Sequence, residues 1–497
     1  MIDERELTDR LHRLAERSTP PPHPDLAATV VRRHRARRRQ QAAVGAVVTV
    51  VAAAVVAVPG LVGDGGRTPD ATPATGALET RPDAATGAPA EPEPGTAVTT
   101  PALPPGDVYT GPTRGSLAGD AAFVEGVRGL AWNGGAGVPD PPLAERHVVF
   151  AGDVPGGRWA LVSGTNTAVP ARTDPERQTD LGALSDVAVA WFVGPPGAGA
   201  DEMQLRSVPY GVDPSLPSAL SSSATGALVV VAAPGDSVEV SLHPDVDADG
   251  TVRRTWQPVP TADGVVVLDV GRREVPFDSA LRYRVTRAGQ SWVTGPDGHA
   301  DPALTPPEPV VDPLREPPPP SPVDSLVTIE AQDVLARTGL AADQVRFGTV
   351  WAGDIPAGSG RTARAVLLSA TLPSGAVHLS TVAGVAFADR SLGATGCGAA
   401  VLPAGTDLLQ ETLAFRCDPP AQAADEARTG SVVVVAPARA VTARWTAADG
   451  DPLVSVPLDG GVAVLPAPER VAQVETRDAE GRVVGRAGLL GTAGLDG

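Results

Sequence analysis

The sequence predicts a mainly β protein: one transmembrane helix, then two duplicated antiparallel, sandwich-like outer domains, each led by a short helix. Three observations carry this expectation. Residues Ala42 to Gly63 form an unbroken Ala/Val/Gly-rich run whose only polar member is Thr49, preceded directly by Arg32, Arg33, Arg35, Arg37, Arg38 and Arg39. Beyond it, short Val-rich runs alternate with Asp-Gly, Ala-Gly and Pro turn signals, the pattern of strands in an antiparallel sheet. The same succession of runs and turns then occurs twice in one order.

Taken from the start, residues 1–41 make a basic tail, ten arginines against six acids. Leu7, Leu11 and Leu14 recur at steps of four and three among charged neighbours. That spacing predicts a short amphipathic helix, lying on the membrane surface or docking a cytoplasmic protein. Ser18 to Pro22 ends it, since proline has no N–H to continue the ladder. The run at 42–63 is long enough to span the bilayer, because about 20 apolar residues rising about 1.5 Å each cover roughly 30 Å of hydrocarbon. Arginines beside a span are retained in the cytoplasm, so the cluster sets the tail inside and everything from Asp64 onward outside. A cleaved signal peptide is the competing reading, with Ala57-Val58-Pro59 as its exit point. The long tail ahead of the run, and the length of the run itself, favour an anchor.

Residues 64–113 are dominated by Pro, Ala, Thr and Gly and are expected to form a disordered stalk. A second Pro-rich segment at 301–325, holding Pro317 to Pro320, predicts an extended linker. These two segments bound outer domains at 114–300 and 326–497. Seven matches run through both in the same order. Phe150-Ala151-Gly152-Asp153-Val154-Pro155 answers Trp351-Ala352-Gly353-Asp354-Ile355-Pro356, Val187 to Val193 answers Val382 to Phe387, and Leu205-Arg206-Ser207 answers Phe415-Arg416-Cys417. Thr225 to Val231 answers Thr429 to Val435, Asp249-Gly250 answers Asp449-Gly450, and Gly264 to Leu268 answers Gly461 to Leu465. Val285 to Val293 answers the hairpin at Val474 to Val484. Leading helices are expected over Asp120 to Trp132 and about Ile329 to Thr338, with Phe123, Val127, Leu130, Val334 and Leu335 turned to the sheet.

The chain carries no H-E-x-x-H, no G-x-S-x-G, no P-loop and no dinucleotide fingerprint. His147, His243, His299 and His378 stand isolated, so the sequence points away from an enzyme and implies no cofactor. A formal net charge of −18, with the basic residues of the tail set apart, excludes a nucleic-acid footprint on the outer part. Asp245, Asp247 and Asp249 open a D-x-D-x-D-G string, the carboxylate pattern of a calcium loop. Its twelfth position is Trp256 where bidentate Glu is needed, and the flanking strands favour an acidic hairpin turn. The Ala-Gly-Asp-(Val/Ile)-Pro strings offer Asp153 and Asp354 as ligand acceptors, or simply as turn residues after a strand. Cys397 and Cys417 are the only cysteines, and on the outer side of a membrane they are expected to pair.

A short basic tail, one Ala/Val span, a Pro/Thr/Ala stalk and β-rich outer domains resemble the layout of single-pass membrane proteins of high-GC Gram-positive bacteria, some of them anti-sigma-factor-like. For the anti-sigma-like members the resemblance implies a tail that holds a cytoplasmic partner. This tail has His12, His23 and His34 but no cysteine for the family's His/Cys/Cys zinc site. The expected protein is a non-enzymatic, membrane-anchored binder or sensor at the cell surface. Its expected partners are the lipid bilayer and an extracellular ligand or protein; the alternative is a membrane regulator whose tail binds a cytoplasmic protein.

Overall fold

Asp120 starts the first helix, α1 (Ala121–Arg128), by accepting a hydrogen bond from the Phe123 N–H at 3.0 Å, which satisfies one of the donors a helix start leaves open. Phe123 and Val127, four apart, are buried on one side. Gly129 ends the helix three residues before Trp132, which is itself fully buried. The computed structural model describes residues 103–495 except 134–137, 167–184, 208, 275, 277–278, 300–305, 317–322, 324, 358–360, 387–391, 421–429, 448–449, 468–470 and 492–493. The basic tail with its arginine cluster, the apolar run and the stalk as far as Ala102 lie outside the described residues. Among the described residues no helix is long and apolar enough to cross a membrane.

Behind α1 come β1 (His147–Val154), β2 (Gly157–Thr165), β3 (Val187–Gly194), β4 (Gln204–Leu205) and β5 (Tyr210–Val212). They make an antiparallel sheet in the order β1-β2-β3-β4, with β5 also on β3. Next follow β6 (Ser218–Ser222), β7 (Ala227–Val231), β8 (Ser237–Ser241) and a small hairpin of β9 (Pro244–Val246) and β10 (Val252–Arg254). The half closes with β11 (Gln257–Val259), β12 (Val265–Asp269), β13 (Arg282–Arg287), β14 (Gln290–Thr294) and β15 (Asp297–His299). Two further sheets result, β12-β7-β6-β15 and β11-β8-β13-β14.

The three sheets and the helix stack in layers, and β7 shows why the sequence reads as it does. Ala227, Val229 and Val231 pack against Phe150, Leu161 and Trp191 of the first sheet. Leu228 and Val230, on the opposite face, pack against Val238, Val240, Tyr283 and Val285 of the third. A strand covered on both faces needs apolar residues at every position, hence an unbroken run in place of alternation. The outer face of the first sheet carries Val148, Ala160, Val162 and Phe192 against Phe123 and Val127 of α1.

The second half contains β16 (Val311–Pro313), α2 (Ser325–Thr338), β17 (Arg346–Pro356), β18 (Thr362–Thr371), β19 (Val377–Ala386) and β20 (Leu392–Leu402). It continues with β21 (Leu413–Cys417), β22 (Ser431–Val435), β23 (Thr442–Thr446), β24 (Pro452–Pro457), β25 (Val462–Pro466), β26 (Gln473–Arg477) and β27 (Val483–Gly488). Its sheets run β16-β17-β18-β19-β20, β21-β22-β25 and β24-β23-β26-β27. Strand for strand, β17 to β20 stand as β1 to β4 do, β25-β22-β21 as β12-β7-β6, and β24-β23-β26-β27 as β11-β8-β13-β14. Even a bulge recurs, between Val148 and Phe150 in β1 and between Thr349 and Trp351 in β17. The buried layers recur as well: α2 with the first sheet, the first with the second, the second with the third.

The pairing revises two of the matches drawn from sequence. Leu161 pairs with Trp191 and Leu367 with Thr381, so Val187 corresponds to Val377 rather than Val382. Ser222 pairs with Ala227 as Cys417 pairs with Ser431, so the counterpart of Cys417 is Ser222 and not Ser207. Composition misled in both places, because short stretches of similar residues recur too often to fix a register. Both Pro-rich segments also contribute to the core. Leu103, Val108 and Tyr109 of the stalk are buried, and β16 from within 301–325 pairs in parallel with β17.

Each half also begins with an arginine that reaches across layers. Arg114 donates to the carbonyls of Ala232 at 2.6 Å and Asp263 at 3.0 Å. Arg315 donates to Ala436 at 2.7 Å and Gly460 at 3.4 Å, the matching positions. In both places the guanidinium caps the turn leading into the middle sheet. Burial pulls both pKa values below the ordinary arginine value.

Candidate binding cleft

The residues singled out by sequence resolve into structural roles. Asp245 accepts from the Thr255 hydroxyl at 2.7 Å, Asp247 pairs with Arg253, and Asp249 accepts from the Thr251 N–H at 2.9 Å. That last bond holds the Asp249 carboxyl below the usual range. The three carboxylates thus turn to separate partners, and among the described residues no group of three or more His, Cys, Asp or Glu side chains is placed to hold a metal ion. The tip of this hairpin rests on the second half instead: the Ala404 N–H donates to the Ala248 carbonyl at 2.7 Å. Gly250, with φ +86°, turns there, and a Cβ on it would sit 3.2 Å from the Val401 carbonyl.

Asp153 and Asp354 meet arginines across their own hairpins, Arg158 at 2.7 Å and Arg364 at 3.4 Å. The repeated Gly-Asp-x-Pro string therefore encodes a repeated ion pair. His147 lies in β1 and His378 in β19, and His243 precedes β9, its Nδ1 3.5 Å from Asp245. Cys397 of β20 and Cys417 of β21 are bonded, with Cα atoms 4.7 Å apart. The bond joins the first and second sheets of the second half.

At the matching place the first half is open. A cleft of about 260 Å³ lies between its first and second sheets. One wall is the β1–β2 turn, where Gly156 has φ +68° and a Cβ on it would meet the Thr225 Cβ at 3.0 Å. A Cβ on Gly157 would fall 2.9 Å from the Gly194 carbonyl. Only a bare backbone fits between these neighbours. Buried Trp159 lines the cleft from β2, edge-on to Trp191 with centroids 6.4 Å apart. Gln204 and Arg206 come from the β4 edge, Ser222 from the end of β6, Thr225 from the turn into β7, and Glu202 from the residues ahead of β4.

The register identifies what replaces the disulfide. Leu205 pairs with Phe192 as Gly396 pairs with Val382, and the next residues are Arg206 and Cys397. The Arg206 N–H donates to the Trp191 carbonyl at 2.8 Å, which fixes its backbone to the sheet. Leu205 packs on the α1 side, so by strand alternation Arg206 faces the second sheet. Arg206 and Ser222 thus occupy the positions of Cys397 and Cys417. Sequence reading missed the pair, because a lone arginine in a polar stretch has no spacing to mark it. The one available signal was that the first half has no cysteines where the second has two.

Two other clusters are accounted for structurally. Arg287 grips Asp236 through two bonds of 2.8 and 2.7 Å and donates to the carbonyls of Pro104 and Ser215, each at 2.8 Å. Every guanidinium nitrogen there has an acceptor, so the cluster ties residue 104 to the third sheet. On α2, Glu330 is half-buried against the sheet near Ser380. Burial, then the charge of Asp333, pushes its carboxyl up to about 7.

No family model matches the chain, and no curated protein is similar to it in sequence.

Proposed function

We propose that the chain is a single-pass, membrane-anchored, non-enzymatic protein that displays two duplicated β domains at the cell surface to bind or sense a ligand. The observation that carries this is the apolar run at 42–63 behind six arginines, which supports both an anchor and its direction. Matching strand orders support duplication, since identical crossovers in two halves of one chain are the mark of a repeated unit. The cleft between the first two sheets of the first half supports binding as its task.

A second reading, a regulator whose tail captures a cytoplasmic partner, is favoured only by the spacing of Leu7, Leu11 and Leu14. Protease treatment of intact cells separates anchor from alternatives. The outer domains are expected to be digested while an N-terminal tag stays protected. Digestion of the tag overturns the orientation, and soluble protein beginning near Pro59 shows a cleaved signal instead.

A further inference from the structure

We infer that the outer face of the third sheet of the second half lies on the surface of a bilayer that contains anionic phospholipid. The inference goes beyond the reading of the chain as a membrane-anchored binder and rests on that reading for its tether. Alternation gives this sheet two faces. Ala443, Trp445 and Val474 turn inward to the middle sheet. Arg444, Glu475 and Arg486 stand opposite one another on the outer face of β23, β26 and β27, with Arg477 two residues from Glu475. Arg477 donates to one Glu475 oxygen at 2.8 and 2.5 Å, and Arg486 donates to the other at 2.9 and 2.8 Å. Those bonds, that of Arg486 first, hold the Glu475 carboxyl below the usual range, so it stays ionised. Arg444 has no ion pair among the described residues. Three guanidiniums thus share one carboxylate. Asp478 and Glu480, in the turn at the end of the sheet, are both held by Arg482, which leaves the face itself positive. The fold does not require these charges: Glu239, Arg284, Thr286 and Val293 stand at the matching positions of the first half, where the charges cancel in one ion pair of 2.6 Å.

The neighbours of the arginines select lipid among anions. Leu453 and Val454 are exposed on the edge strand β24, Val483 opposite Arg477 on β27, and Val441 just ahead of β23. Arginines and aliphatic side chains together suit the headgroup region, where the charges meet phosphate and the apolar atoms reach the acyl boundary. A soluble polyanion gains nothing from the aliphatic groups. Reach favours lipid as well. Only 39 residues separate Gly63 from Leu103, at most about 140 Å of chain, so an anchored copy is held beside the bilayer and docks in an intramolecular step. The −18 charge of the chain opposes anionic lipid, but salt screens it beyond about 8 to 10 Å, whereas the arginines of the face are in contact.

Hydrogen exchange of the full chain in lipid nanodiscs tests the face, with discs of phosphatidylcholine alone against discs that also hold phosphatidylglycerol. Backbone amides of β24 and β27 should exchange at least about fivefold more slowly with phosphatidylglycerol, the factor that one surface arginine supplies, while β11 and β14 of the first half are unchanged. Molar salt should abolish the difference. Arg444→Gln with Arg486→Gln should abolish it too, and Arg444→Gln alone should reduce it with the melting temperature unchanged. Equal exchange in the two lipids overturns the inference, as does a difference that survives salt or both substitutions. Slowing in phosphatidylcholine alone that grows with protein concentration also overturns it, by placing a second copy on the face. Chain recovered outside the discs means that the anchor has failed and not the face. Vesicles with phosphatidylglycerol should then sediment that soluble chain and those of phosphatidylcholine should not; chain left behind by both overturns the face.

Discussion

At Arg287 a single side chain joins the segment at Pro104 to the third sheet of the first half. Asp236 is almost wholly buried and its partner nearly so. Removing one member leaves the other charged and unpaired, which typically costs about 3 to 5 kcal/mol. Arg287→Ala is therefore expected to shift the urea midpoint strongly downward, and an unchanged midpoint would show that the pair is dispensable. Glu330 acts in the opposite sense. Its folded pKa of about 7 lies above the ordinary 4.5, so the folded state binds the proton more readily than the unfolded chain. The resulting stability is fully present below 4.5 and is lost as pH rises through 7. With solvent reaching part of the side chain, the effect should be about 1 to 2 kcal/mol. Glu330→Gln should remove the slope between these limits and raise the melting temperature at pH 8; a slope that persists assigns it to another group.

Among elements, the strand pair β20 and β21 shows what the disulfide adds. It closes a separation of 20 residues, worth about 2 to 4 kcal/mol by restricting the unfolded chain. The first half builds the same three sheets with arginine and serine in its place. Hence Cys397→Ser with Cys417→Ser should still fold cooperatively, with stability lowered by that amount in chemical denaturation. Complete unfolding at room temperature would mean that the layers of the second half do not hold without the staple.

For the whole molecule, residues 101–497 form one compact unit, and the hairpin at Asp247–Gly250 rests on the end of β20. Each half nevertheless has its own layered core. A fragment of residues 306–497 is expected to melt cooperatively, whereas 326–497 should be markedly less stable. The shorter piece lacks β16 and Arg315, and so exposes the β17 edge and leaves the Ala436 carbonyl without its donor. Equal melting of the two fragments would show that the leading segment adds nothing.

The sequence alone determined strand content, the two leading helices and the order of the halves. Those features rest on local chemistry: Asp120 as a cap, Phe123 and Val127 at helical spacing, Val-rich runs ended by Asp-Gly turns. It also marked Cys397 and Cys417, because they have no competitors for pairing. Tertiary structure alone decided that Ala227–Val231 and Ser431–Val435 run through the middle of a stack, since an apolar strand reads the same in any buried layer. The correspondence of Ser222 with Cys417 was likewise out of reach, because it is defined by hydrogen-bonded register across strands and not by neighbouring residues. Arg114, at the first position of the first domain, and Arg315, read as part of the Pro-rich linker, became cross-layer donors only when the chain brought carbonyls more than a hundred residues away to meet them. The cleft belongs to the same class. Arg206, Thr225 and Gly156 are ordinary residues apart, and only the packing of two sheets makes them neighbours.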